Sequence, residues 1–309
     1  MNQSQEREGI LYGALSYFIW GIVPLYWKWL DHVGAEEILA HRVVWSFVFM
    51  MILLLVTKKW NHFIIYFNEI VRNRKKLFAL TVASVLVSMN WGIFIWAINA
   101  DRILDTSLGY YINPLISVLL GVVILKEKLS RPQVISVVLA AIGVIILTFH
   151  FGKFPTISFI LAITFGLYGL AKKMINADAS IGLTLETMMV APIALGYFLI
   201  SAFQGQSMFV SSIDTTLLLI GGGIATALPL LFFAKGAQKV SLSMMGFLQY
   251  IAPTLTLMIG VFIYHEEFTR THLISFIFIW VGLIIYSFSK TKFSMSTNHK
   301  WKRKQKIGA

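Results

Sequence analysis

Two charged side chains stand where an apolar chain should hold none. Arg42 falls inside the apolar run 38–57 and Glu186 inside the run 181–203. Apart from histidines and tyrosines, no other ionisable residue lies clearly within such a run. In hydrocarbon a charge costs several kcal/mol unless it snorkels, pairs or meets water, so it marks a path for a polar solute or a proton. At 1.5 Å per residue each charge lies ~7 Å in from one end of its run. The two count from opposite faces of a ~30 Å core, which leaves ~15 Å of height between them. A direct salt bridge is not expected. Arg42 has a long stem and can snorkel. Glu186 is shorter and wants water or a partner in a cavity, where it could carry a proton or meet a cationic solute. His41, beside Arg42, titrates near neutrality when unperturbed.

The uncharged polar set consists of Asn90, Asn99, Asn113, Gln238 and Gln249, with Tyr110, Tyr111 and Tyr250. Asn113 adjoins Pro114, and Gln249 and Tyr250 shortly precede Pro253. A proline removes one helical hydrogen bond and bends the helix. In lipid the freed carbonyl must face protein or water. Pro114 and Pro253 are candidate hinges, or static bends. Asn90, Tyr111, Asn113, Gln249 and Tyr250 are candidate cavity-lining residues, with ordinary interhelical hydrogen bonding as the alternative. Asn99 and Gln238, near run ends, fit that alternative better. The chain has no cysteine. It offers no metal-ligand spacing, phosphate loop or catalytic triad. No metal, no cofactor and no enzyme activity are expected.

The elements that position these residues follow from composition. Hydrophobic residues make up 57% of the 309 and charged residues 13%, far below the quarter or so of a soluble domain. Ten apolar runs are long enough to span a membrane: 9–30, 38–57, 77–99, 107–125, 132–149, 156–171, 181–203, 216–235, 242–264 and 272–288. The first is too long for a cleaved signal. Shifting 107–149 by 139 positions lays it without a gap on 246–288. Tyr111 then falls on Tyr250, Pro114 on Pro253, Glu127 on Glu266, Ser136 on Ser275 and Gly143 on Gly282. Gly21 and Lys28 match Gly166 and Lys173 at a slightly different offset. Two five-helix copies must insert in opposite senses, an inverted repeat. The expected fold is thus an all-α integral membrane protein, with one copy over 9–149 and a second over 154–288.

The net charge of +12 does not indicate nucleic acid, because its distribution is topological. With the N-terminus in the cytoplasm, 21 of the 26 Lys and Arg residues face inward and four outward. Both termini are therefore expected inside. The basic tail 289–309 either grips anionic lipid headgroups or is a solvated, topology-fixing segment. The cluster Gly221, Gly222, Gly223, Ala225 and Ala227 suits close helix contact.

Particular stretches carry a resemblance. EILAHRVVWS (37–46), NWGIFIWAIN (90–99), SLGYYINPL (107–115), FGLYGL (165–170) and GFLQYIAPT (246–254) resemble the RarD group of EamA-type transporters, in the drug/metabolite transporter superfamily. The likeness covers nearly the whole chain. Lys172-Lys173 departs from the Arg-Lys expected after FGLYGL, with charge kept. The resemblance implies a central cavity and carriage of small metabolites or drugs, often outward. The leading expectation is a secondary transporter moving a small organic solute, protons being a candidate coupling ion. Amino acids and aromatic drugs both fit. Two other classes compete: a membrane enzyme acting on a lipid-linked substrate, for which no catalytic cluster is found, and a non-transporting receptor or scaffold, which leaves the repeat unexplained.

Overall fold

The structure is a computed structural model that describes residues 3–100, 103–150, 152, 154–175, 177–265 and 268–307. Among the described residues it is helical, without strands. The helices are α1 (Gln3–Lys28), α2 (Ala35–Val56), α3 (Trp60–Arg72), α4 (Arg74–Asn99), α5 (Ile103–Val123), α6 (Arg131–His150), α7 (Thr156–Met174), α8 (Ala179–Phe203), α9 (Ile213–Lys239), α10 (Leu242–Gln249), α11 (Ile251–Phe262) and α12 (Arg270–Ile307). Ten spans are long and apolar enough to cross a membrane, with α10 and α11 together forming one and Arg270–Ser289 supplying another. The chain is an all-α, multi-pass membrane protein. An even number of spans puts the two chain ends on one face of the bundle, here called the terminal face.

The apolar runs 38–57 and 77–99 leave 58–76 as a connection, and most of it is the helix α3. Trp60, Phe63, Phe67 and Ile70 recur at helical spacing, and Phe63 and Ile70 are buried. The other side of the helix carries Asn68, Glu69 and Arg72. Such a two-faced helix of 13 residues is too short to span and too polar to register as an apolar run.

Ends of elements are set by local chemistry. Asp178 caps α8 by accepting from the Ser180 and Ile181 backbone N–H groups, Ser212 caps α9 and Ser241 caps α10. The start of α10 has a second cap from far away in sequence. The Glu127 carboxylate accepts from the backbone N–H of Leu242 at 2.7 Å and of Ser243 at 2.9 Å. A carboxylate there satisfies orphan donors and meets the positive helix end. Its sequence match, Glu266, lies outside the described residues. Lys126 and His265, one shift of 139 apart, both take a left-handed backbone, with φ of 57° and 56°. The same turn ends the same helix in each copy.

Packing repeats too. α1 lies on α9 and α4 on α7; α5 lies on α7, and α10–α11 on α1; α2 packs on α8 and α6 on α12. In the last pair, a Cβ added at Gly143 would lie 2.5 Å from the Ser275 carbonyl oxygen, and one at Gly282 would lie 2.8 Å from that of Ser136. The two helices therefore run antiparallel, with sequence-matched residues in reciprocal contact. That is the pattern a two-fold axis produces. Small residues make the approach possible in a solvent that gives helices little hydrophobic reason to associate. The glycine cluster of α9 acts likewise. Gly223 abuts the Trp45 backbone, and the Ser46 hydroxyl donates to the Gly223 carbonyl at 2.9 Å.

The two aligned prolines behave differently. Pro253 cannot donate to the Gln249 carbonyl, and its ring crowds that turn. The helix ends at Gln249 and restarts at Ile251, with the Tyr250 N–H turning back to the Phe247 carbonyl at 3.3 Å. α5 instead runs unbroken through Pro114.

Candidate functional site

Near the middle of the bundle α2, α4, α7, α8 and α9 leave a narrow cavity. Val43, Ser88, Trp91, Tyr168, Glu186 and Thr187 are among its lining residues. A wider depression at the α3–α4 turn, beside Asn68, Arg72 and Lys75, is shallow, open to solvent and remote from the buried charges.

Glu186 is buried and fully engaged. Lys172, near the end of α7, donates to one carboxylate oxygen at 2.7 Å, and the Tyr168 hydroxyl donates to the other at 3.1 Å. Both charged side chains are almost wholly enclosed, at 4% and 3% exposure. The partner that Glu186 requires is thus a lysine and a tyrosine rather than water, and the charges inside the spans go beyond Arg42 and Glu186. The structure adds Lys172, and it also buries Glu37 near the start of α2. α7 continues to Met174 rather than stopping near 171, so Lys172 is helical and its stem reaches back into the bundle. Such a pair holds its geometry by hydrogen bonds and direct attraction against a large desolvation cost.

Arg42 is not in contact with Glu186. Its Nε donates to the Thr226 hydroxyl of α9 at 2.9 Å. Its guanidinium carbon lies 4.6 Å from the ring centre of Trp27 and 5.5 Å from that of Trp91. Such faces attract a cation through the ring quadrupole. Arg42 and Glu186 each sit seven residues after the first residue of their helix, α2 and α8. In the register that pairs Lys28 with Lys173, Trp27 pairs with Lys172. The two offsets are 144 and 145, one residue fewer separating Lys173 from Ala179 than Lys28 from Ala35; helix by helix, an arginine against an indole in one copy stands where a carboxylate against a lysine stands in the other.

The remaining candidates divide. The Asn90 amide donates to the Leu161 carbonyl and to the Thr164 hydroxyl, both at 2.9 Å, tying α4 to α7. Asn113 is buried and accepts from the Ser117 hydroxyl at 3.4 Å. Gln249, at the break before α11, is buried with its side-chain oxygen unpaired. The Tyr250 hydroxyl donates to the Tyr111 carbonyl at 3.4 Å, so these sequence-matched tyrosines touch. None of these five lines the narrow cavity directly. They cluster instead around the helix break and along the α4–α7 contact. The Gln238 amide donates to the Ala177 carbonyl at 2.8 Å, and the side chain of Asn99 lies outside the described residues. Sequence reasoning missed Lys172, Thr226 and the two tryptophans. Lys172 was visible only as a departure from an expected motif, and two indoles among nine tryptophans carry no mark of their own.

Similarity to known proteins agrees with this architecture. The profile of the EamA-like transporter family matches twice, at residues 7–149 and 156–288. The uncharacterised transporter YojE of Bacillus subtilis is 48% identical over 309 residues, covering 99% of both chains. The protein RarD of Escherichia coli is 41% identical over 287 residues, covering 93% of this chain and 96% of its own. One crystallised protein superimposes with a TM-score of 0.69 over 92% of this chain and 98% of its own, a likeness of fold alone at 14% identity. Two copies of the profile and two full-length relatives place the chain among transporters rather than enzymes, and it belongs to the EamA-like transporter family, of the RarD type.

Proposed function

We propose that this transporter moves a small organic solute outward across the cytoplasmic membrane by alternating access, with both termini in the cytoplasm. The observation that carries the reading is the reciprocal packing of Gly143 with Ser275 and Gly282 with Ser136, together with a narrow cavity whose lining residues include Glu186. Two five-helix copies related in this way can rock about a fixed central site, exposing it to each face in turn. The concentration of basic residues on the terminal face supports the orientation.

In this reading Glu186 serves the terminal half of the path and Arg42 the opposite half. Asn90, Tyr111, Asn113, Gln249 and Tyr250 hold or line the moving contacts, and Pro253 and Pro114 are the hinge positions. Protons are the coupling ion. A proton reaching Glu186 frees Lys172 to turn toward the terminal face, so protonation and helix movement are linked. The basic tail rests on anionic headgroups of the inner leaflet.

The test is flux. Vesicles holding purified protein are loaded with a metabolite extract, and the solutes that leave are identified by mass spectrometry. A small set should leave faster than from protein-free vesicles. With Glu186→Gln, their rate should fall at least tenfold and lose its pH dependence. Wild-type flux and pH profile in that variant would make Glu186 purely structural and end the coupling proposal.

A further inference from the structure

The geometry points to a recognition site for a carboxylate monoanion built on Arg42, which makes the solute an organic acid or a zwitterion with one carboxylate. This rests on the transport reading above and names the chemistry its solute must carry.

Arg42 is a cation inside a membrane span with no anion beside it among the described residues. Among the described residues it makes no ion pair. The nearby acid on its own helix, Glu37, is already engaged, accepting from the Ser207 hydroxyl at 2.6 Å and the Met208 backbone N–H at 2.8 Å. The Tyr110 phenol of α5 lies within electrostatic reach and is a neutral neighbour. Of five guanidinium donors, Nε alone has a hydrogen-bond partner among the described residues, Thr226. The terminal nitrogens are not among the polar atoms that are both fully enclosed and unpaired. A planar fork with both terminal nitrogens free matches the two oxygens of a carboxylate.

The surroundings select the rest of the ligand. Trp27 and Trp91 pack their rings against the guanidinium and take none of its N–H donors. Trp91 also lines the central cavity, so one indole joins the arginine to the path. Gly222 of α9 leaves room for this arrangement, since a Cβ there would lie 3.3 Å from the Trp27 ring and 3.7 Å from Arg42. The charge balance decides between acids. Among the described residues the buried lysine, Lys172, lies in the opposite half of the bundle and is already neutralised by Glu186. One free positive charge balances one negative charge. A phosphate monoester would bring a second charge with nothing to offset it in a site of low dielectric.

The experiment uses the purified full chain and three probes: phenylacetate, indole-3-acetate and octanoate, each against its primary amide. Binding is read as a saturable change in thermal stability and in tryptophan fluorescence. At least one acid should bind at least tenfold more tightly than its amide. Arg42→Gln should abolish that preference. Arg42→Lys, which keeps the charge and loses the fork, should weaken it and serves if Arg42→Gln folds poorly. Phenyl phosphate should bind more weakly than phenylacetate. No saturable response to any of the three acids, equal binding of acid and amide, or an unchanged preference in both variants would overturn the proposal. The readout does not depend on flux. Carboxylate binding without transport would sink the transport reading alone. Flux of neutral solutes that is indifferent to Arg42→Gln would sink the carboxylate site alone.

Discussion

Lys172 and Glu186 test how a buried ion pair behaves when one member is lost. Removing either leaves an uncompensated charge in the bundle, at a cost of about 3–5 kcal/mol. Lys172→Met and Glu186→Gln should each lower the melting temperature in detergent, and the double variant should recover most of the loss. A double variant as unstable as the sum of the singles would mean that the pair is not a unit. Asp178 offers a milder case outside the spans. Burial pushes its carboxyl up, but hydrogen bonds from Lys59 and Ser180 outweigh that and hold it below the usual aspartate range. Its stabilising effect is then complete above the ordinary value near pH 4 and is lost as the pH falls through the lower folded value. Asp178→Ala should cost about 1 kcal/mol at pH 7, the usual worth of an N-cap, and much less at pH 2.5. The two intramembrane charges were legible in the sequence because they interrupt apolar runs. Their partners were not. Lys172 stands at a run's edge and reaches inward by its stem, while Trp27, Trp91 and Thr226 are of types common in any membrane helix.

Helices were legible wherever hydropathy alone decides, since spans need length and little else. α3 was not, because its signal is a face rather than a run. The repeat was legible where packing demands small residues, as at Gly143 and Gly282. It faded in the first two helices of each copy, where Trp27 and Lys172 occupy matched places with unlike chemistry. The tight contacts give a direct check. A methyl group at Gly223 would collide with the Trp45 backbone, which cannot swing aside as a side chain can. Gly223→Ala should therefore cost about 1–3 kcal/mol, seen as a lower melting temperature, whereas Gly196→Ala, with open space around it, should change little. The prolines separate in the same way. Pro253→Ala restores a donor at a real helix break and should slow flux while the protein remains folded. Pro114→Ala acts on a continuous helix and should have the smaller effect. Equal effects would mean that the break at Tyr250 has no part in the motion.

At the scale of the whole molecule, ten spans and two copies were readable from the sequence, and the cavity was not, because it is made by helices far apart in the chain. The orientation can be checked cleanly since the protein has no cysteine. Asn68→Cys, on α3, should resist an impermeant thiol reagent in intact cells, and His265→Cys, in the exposed turn after α11, should react. The reverse pattern would invert the topology. The central claim is that one cavity opens to each face in turn. Ser88 lines that cavity, and Ser88→Cys is a small change. A small impermeant thiol reagent should label it both in intact cells and in inside-out vesicles, each at a rate well above that of a buried control, Ser84→Cys. Labelling from both faces is the predicted result, and labelling from one face only would contradict alternating access.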